Sequence, residues 1–236
     1  MGMKPAVLMM FRDEADVLGP CLRHWHEIGV QNFYLCDNGS KDGSLQIAID
    51  FCESIGYEGV IISDDSTNWP GRKIINSLKD HALKRGCDWL FPADADEFIV
   101  ISGVWGSIQE WLSQYPAGHS WGEIPYLNIL PDGRQYWQEP HRKAFGRLKA
   151  DWMISMGNHL IEGVEPTLGG PAVYYEHFSI RSPEQFRKKM VNWMTAFSQM
   201  PYHDHPHYQN WLNWKREGDA FIERLYKELT EYETNL

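Results

Sequence analysis

The first hundred residues alternate short apolar runs with segments of helical period. Residues 6–11 are continuously apolar, the pattern of a strand buried on both faces. Asp13 then precedes a helix-like segment over 14–28, which Gly29 closes. Residues 32–36 predict a second strand, followed by the turn Asp37-Asn38-Gly39-Ser40-Lys41-Asp42-Gly43-Ser44. A helix carrying Leu45, Ile49 and Phe51 ends near Gly56, residues 59–63 make a third strand, and Pro70 opens a helix that runs to Gly86. Residues 89–92 form the fourth strand and deliver Ala93-Asp94-Ala95-Asp96-Glu97-Phe98. Successive βα units imply an α/β fold with a mainly parallel sheet and right-handed crossovers. In such sheets the ligand crevice lies at the carboxyl ends of the strands. Arg12-Asp13-Glu14, Asp37, Asp64-Asp65 and Asp94 with Asp96 all fall at those ends.

The pattern changes over residues 118–178, where Pro, Gly and aromatics interrupt short strand-like runs. Strands are expected at 121–130 and 172–175, with irregular chain between them. Two amphipathic helices then finish the sequence. Phe186, Met190, Trp193 and Phe197 stripe the first, and Trp211, Leu212, Phe221, Ile222, Leu225 and Leu229 the second. Those faces are expected to pack on the sheet or on a partner subunit. A chain of 236 residues suits one α/β domain, and no internal repeat or linker divides it.

Charge narrows the chemistry. The net charge of −10 argues against nucleic-acid binding, which needs a basic surface. A phosphorylated ligand could sit among these carboxylates only with a cation or local basic groups to offset the repulsion. Cys21, Cys36, Cys52 and Cys87 show no CxxC spacing and read as buried reduced thiols of a cytoplasmic protein. No apolar run approaches the length of a membrane span, and the first residues are too short for a signal peptide. A peripheral membrane contact stays open.

In extended chain, residues i and i+2 share a face, so Asp94 and Asp96 are expected to present two carboxylates to one site. Without a counter-ion that arrangement is costly. A divalent cation with oxygen ligands would bridge the carboxylates and a diphosphate. The Asp37 turn has a plain explanation as far as Asn38–Ser44, since Asn-Gly supplies positive φ and Asp42 caps the next helix. That leaves the acid at the strand end, placed to accept from a base N–H or a ribose hydroxyl. The run His203-Asp204-His205-Pro206-His207 reads as a polar interhelical loop rather than a metal site.

Arg12-Asp13-Glu14-Ala15, Phe33 through Ser44 and Trp89 through Phe98 resemble the family 2 glycosyltransferases, in the subgroup whose pattern is "NEA … YDNGSTDGS … DADEF". Tyr175 through Lys189 resembles that subgroup's later "H(Y/F)xxRSxEQFxxK" segment. Order and spacing agree over residues 5 to about 190, with Asp13 standing where the subgroup usually carries Asn. The resemblance implies a GT-A type fold. Residues 1–100 would be the nucleotide-sugar half and 101–180 the acceptor side, followed by C-terminal helices. It also implies an inverting transfer from a UDP- or GDP-sugar to a glycan or glycoconjugate hydroxyl. Asp37 would contact the nucleoside, Asp65 or Asp64 the base, and Asp94 the ribose or metal. Asp96 and His177 would bind the metal, Mn²⁺ in preference to Mg²⁺. Arg12 and Glu14 would join the donor contacts, and Arg181 would neutralise the departing diphosphate, with Lys188, Lys189, Arg72 and Lys73 as further candidates. For the catalytic base, Glu162 is favoured over Asp132, and His159 is expected to shape the site.

A nucleotidyltransferase would need a Gly-rich loop after the first strand, where this chain reads Phe-Arg-Asp-Glu-Ala. No GxGxxG or GxxxxGK[ST] follows a strand, which excludes dinucleotide and P-loop enzymes. A catalytically silent carbohydrate- or nucleotide-binding module on the same scaffold is the remaining alternative.

Overall fold

A computed structural model of the chain describes residues 2–56, 60–63, 71–103, 105–115, 120–167, 173–198 and 206–231. The apolar run at the start is strand β1 (Pro5–Phe11), buried along nearly its whole length. Helix α1 (Leu18–Glu27), strand β2 (Asn32–Asp37), helix α2 (Ser44–Ser54), strand β3 (Val60–Ser63), helix α3 (Gly71–Lys84) and strand β4 (Trp89–Pro92) follow in the expected order. After them come β5 (Glu97–Ile101), α4 (Ile108–Leu112), β6 (Trp121–Ile129), β7 (Gln135–Gly146) and β8 (Val173–His177). The chain closes with helices α5 (Pro183–Ser198), α6 (Pro206–Glu217) and α7 (Asp219–Glu231).

The chain sorts into two compact units. Among the described residues, one comprises 2–63, 71–128 and 136–177, and the other comprises 129–135 and 178–231.

The first unit is built on a sheet of order β3-β2-β1-β4-β7-β6-β8-β5. Pairing is parallel through β3-β2-β1-β4 and again between β6 and β8. It is antiparallel where β7 meets β4 and where β5 meets β8. Because strand side chains alternate, β1 feeds two cores at once. Val7, Met9 and Phe11 join Leu18, Leu22 and Trp25 of α1 and Phe51 of α2. Ala6 and Leu8 join Ile74, Ile75 and Leu78 of α3. Helices therefore cover both faces of the parallel half, as the α/β reading requires. Several of the many aromatics serve this core. Trp89, Phe91, Trp111 and Phe145 pack with ring centroids 5.2–6.4 Å apart, and Trp25 sits 5.5 Å from Phe91.

Three expectations need correction. The chain between β6 and β8 is not wholly irregular, because β7 runs through it as a central strand. Its polar residues at 138–143 conceal the strand from an apolar pattern search. The last helical stretch is two helices, since Gly218 at φ 66 ends α6 and Asp219 starts α7. Asp94–Glu97 is a turn rather than extended chain: Glu97 N–H donates to the Asp94 carbonyl at 3.2 Å, and β5 begins there.

In the second unit, Phe186, Met190 and Met194 form the buried stripe of α5, and Trp193 is only half-buried. Phe186 meets Tyr226 of α7 at 5.5 Å between ring centroids, and Arg187 pairs with Asp219 at 2.8 Å. No described helix is long and apolar enough to cross a membrane. All four cysteines are buried and none forms a disulfide.

Candidate active site

Strand order reverses between β1 and β4, the switch point where an open parallel sheet offers a crevice. The loops leaving β1, β2 and β4 meet at this end. The first two are laced together by their own polar groups. Asp13 N–H donates to Ser40 Oγ at 3.0 Å, and Lys41 N–H to Asp13 Oδ1 at 2.8 Å. Glu14 N–H reaches Ser44 Oγ at 2.9 Å, and Ala15 N–H reaches Asp42 Oδ2 at 3.2 Å. Asp13 has φ 57, a left-handed conformation that Asn and Asp tolerate better than other side chains. An acid or amide at this position therefore has a backbone reason, which the sequence pattern did not reveal.

Asp37 is buried at the end of β2, and its carboxylate accepts from Gly39 and Ser40 N–H at 3.2–3.3 Å. It is first the brace of its own turn, an Asx arrangement. Next to it, Asn38 Oδ1 and Arg12 Nε are buried with no hydrogen-bond partner among the described residues. An unsatisfied buried polar atom costs roughly 1–3 kcal/mol. Two such atoms at adjacent strand ends mark a place where a ligand would supply the missing partners. Asp64 and Asp65 lie outside the described residues, as does the 203–205 run.

The turn after β4 sends its two aspartates to different neighbours. Asp94 is half-exposed; its Oδ2 accepts from Lys143 Nζ at 2.6 Å and its Oδ1 from Asn158 Nδ2 at 3.4 Å. Asp96 is 3% exposed, with Oδ1 3.8 Å from His177 Nε2. His177 Nδ1 donates to Asn128 Oδ1 at 2.7 Å. Asn128 and His177 are register partners on β6 and β8, so the sheet fixes that contact. With Nδ1 bonded to Asn128, Nε2 is the ring nitrogen that faces Asp96, and in the neutral imidazole it is the one free to ligate a metal, as in metal-ligating histidines.

Glu97 and Lys143 are both 1% exposed and 3.3 Å apart, and Glu97 Oε2 accepts the Asp94 N–H at 2.9 Å. Burial pushes the Glu97 carboxyl up to about 8 against the pull of Lys143, with Asp94 and Asp96 adding to the push. Burial also draws the Lys143 ammonium down, but Asp94 and Glu97 outweigh it and hold it above its ordinary value. Lys143 and Asp94 form the closest ion pair of the group, and burial holds Glu97 toward its protonated form. Lys143 also donates to the Gly157 carbonyl at 3.1 Å. Neither residue was assigned a role from sequence. Glu97 lies in the DADEF segment, where the two aspartates carry the reading, and Lys143 lies in the stretch read as irregular.

Among the described residues, no three His, Cys, Asp or Glu side chains stand close enough to cage a metal. Asp96 and His177 nevertheless form a two-donor set that fits a hard or borderline divalent cation. Such ions commonly take one or two protein ligands and complete the shell with phosphate oxygens and water.

The remaining candidates are spread more widely. Glu162 forms an ion pair with Arg72. It borders the loop, closed by the Ile154–Ile161 bridge, that carries Asn158. His159 Nδ1 meets the Arg142 carbonyl at 2.8 Å, and the ring packs edge-on to Tyr126. Asp132 and Arg181 belong to the second unit. Asp132 holds the tip of the β6–β7 hairpin, bonding Arg134 N–H at 3.1 Å and Arg134 Nε at 2.7 Å, and these bonds lower its carboxyl below the usual range. Arg181 Nη1 donates to the Phe178 carbonyl at 2.9 Å, and its N–H bonds Gln185 Oε1 beside the Ser182 cap of α5.

No family model matches the chain, and no curated protein matches it. Among solved structures, it is similar to S. aureus TarS 1–349, at 12% identity, TM-score 0.45, over 98% of this chain and 83% of that one. It is also similar to the mannosyltransferase PcManGT from Pyrobaculum calidifontis, in complex with GDP-Man and Mn²⁺, at 10% identity, TM-score 0.48, over 100% and 77%. A third is glucosyl-3-phosphoglycerate synthase from Mycobacterium tuberculosis, at 13% identity, TM-score 0.32, over 56% and 45%.

Proposed function

We propose that this chain transfers a sugar from a UDP- or GDP-sugar to a hydroxyl of a glycan or glycoconjugate, with inversion at the anomeric carbon. The observation that carries the reading is Asp96 facing an oriented His177 beside Asp94, at the switch point of a parallel sheet. Asp96 and His177 would hold a divalent cation, Mn²⁺ ahead of Mg²⁺. When bound, that cation stabilises the charge developing on the departing diphosphate. Arg12 and Asn38 offer their unpartnered polar atoms to the nucleoside, and Asp94 faces the donor's hydroxyl groups. Glu14 and Asp37 complete the donor contacts.

In the transfer, the acceptor oxygen bonds to the anomeric carbon as the bond from that carbon to the phosphate oxygen breaks. The electron pair leaves with the nucleoside diphosphate, and the hydroxyl proton passes to a base. Glu162 is the base, since Asp132 is engaged in holding its hairpin tip through Arg134 N–H and Nε. Glu162 must exchange its Arg72 partner for the acceptor hydroxyl.

The test is a panel of UDP- and GDP-sugars with Mn²⁺ or with a chelator, followed by proton NMR of the anomeric signal. An α-linked donor should give a β-linked product only when metal is present. Retention would overturn the inverting mechanism. Donor binding without hydrolysis or transfer would favour the silent binding module, and no binding of any donor would overturn the whole reading.

A further inference from the structure

We propose that Lys143 is a positioning residue for Asp94: together with Glu97 it fixes that carboxylate and supplies its counter-charge, leaving the cation to Asp96 and His177. This rests on the glycosyltransferase reading above and divides the labour of its two aspartates.

Paired carboxylates after β4 suggested a metal because like charges need a counter-ion. For Asp94 the chain already provides one. Lys143 Nζ is buried within 2.6 Å of Asp94 Oδ2, and its other close oxygens are Glu97 Oε1 at 3.3 Å and the Gly157 carbonyl at 3.1 Å. A fully buried ammonium needs such partners, and they leave it little freedom to turn away. Asp94 is gripped from the other side as well, since Glu97 accepts its N–H and Asn158 donates to Oδ1. The carboxylate is thus held by side chain and backbone while staying half-exposed. A carboxylate neutralised in this way attracts a cation weakly but still accepts hydrogen bonds. That suits the neutral hydroxyls of a ribose or sugar. Asp96 is turned to the other side of the turn, its Oδ1 3.8 Å from His177 Nε2.

The experiment compares wild type with Lys143→Met, measuring Mn²⁺ affinity by calorimetry, donor KM and kcat, and thermal unfolding. Loss of a counter-ion frees Asp94 to join the cation, so Mn²⁺ should bind about tenfold tighter. Donor KM should rise by about tenfold with kcat changed much less, as for a contact made equally in ground and transition states. A lysine that merely props the fold would do the opposite, weakening Mn²⁺ and donor together as the unfolding temperature falls. Should Lys143→Met fail to fold, the double variant Lys143→Met with Glu97→Gln carries the same expectations, since it leaves no buried carboxylate at Glu97 without its partner. Unchanged or weaker Mn²⁺ binding, or an unchanged donor KM, overturns the inference. A wild type that binds neither Mn²⁺ nor any nucleotide-sugar removes the proposed function and this inference with it. A wild type that binds both, with a variant indistinguishable from it, removes this inference alone.

Discussion

His177 shows how a sheet register can decide what one side chain is able to do. A histidine at the end of a strand has two ring nitrogens, and which one carries the proton depends on its neighbour. Here that neighbour is Asn128, opposite His177 in the β6–β8 register. Replacing Asn128 with Ala should leave the ring free to choose its tautomer and rotamer. Losing an outer-shell partner of this kind typically costs about 10–100-fold in metal affinity, and that is the expected loss of Mn²⁺ binding by calorimetry. An unchanged affinity would show that His177 is not a ligand. Asp96→Asn should do at least as much harm, roughly a hundredfold, because it removes the charged donor itself. Asp37 reads differently at this scale. Its identity was legible as an acid at a strand end, but its bonds to Gly39 and Ser40 show that the turn uses it first.

At the level of elements, the joint between β4 and β7 is the most exposed to damage. Gly146, the last residue of β7, has φ 146 and pairs with Leu90. A Cβ there would lie 2.4 Å from the Ser120 carbonyl oxygen and 2.5 Å from Trp121 Cα, both backbone atoms. Neither can yield as the end of a flexible side chain would. Gly146→Ala should therefore cost about 3 kcal/mol, combining overpacking with backbone strain. For a chain of this size that lowers the unfolding temperature by about 6–12 °C, measurable by circular dichroism. A shift under about 2 °C would mean that the start of β6 moves aside freely. Because β7 carries Lys143, the same variant should also loosen the grip on Asp94.

For the whole molecule, the contact pattern yields two units, but the chain does not run through them once. Among the described residues it leaves the first unit at Asn128, returns at Tyr136, and leaves again after His177. The tip of one hairpin thus belongs to the second unit while its strands belong to the sheet of the first. Unfolding the second unit should pull on β6, β7 and β8 together. A single cooperative thermal transition is expected by calorimetry, with equal calorimetric and van't Hoff enthalpies. Two resolved transitions would show that the units fold independently and that the single-domain reading of the sequence is wrong.

Local pattern along the chain is enough to place the parallel half of the sheet, its helices and the loops where polar chemistry gathers. Apolar runs, helical periods and turn residues are local signals, and from β1 to β4 they agree with the tertiary environment. Which groups meet is fixed by folding alone. Lys143 lies 49 residues from Asp94 and Asn128 lies 49 from His177, so no local pattern links either pair. The turn at Asp94–Glu97 breaks the alternation that extended chain would have given, so that Asp94 meets Lys143 and Asp96 faces His177. Local periodicity reports which face of an element is buried. It carries no information about what that face is buried against, and the counter-ions and orienting groups of a site are supplied at that level.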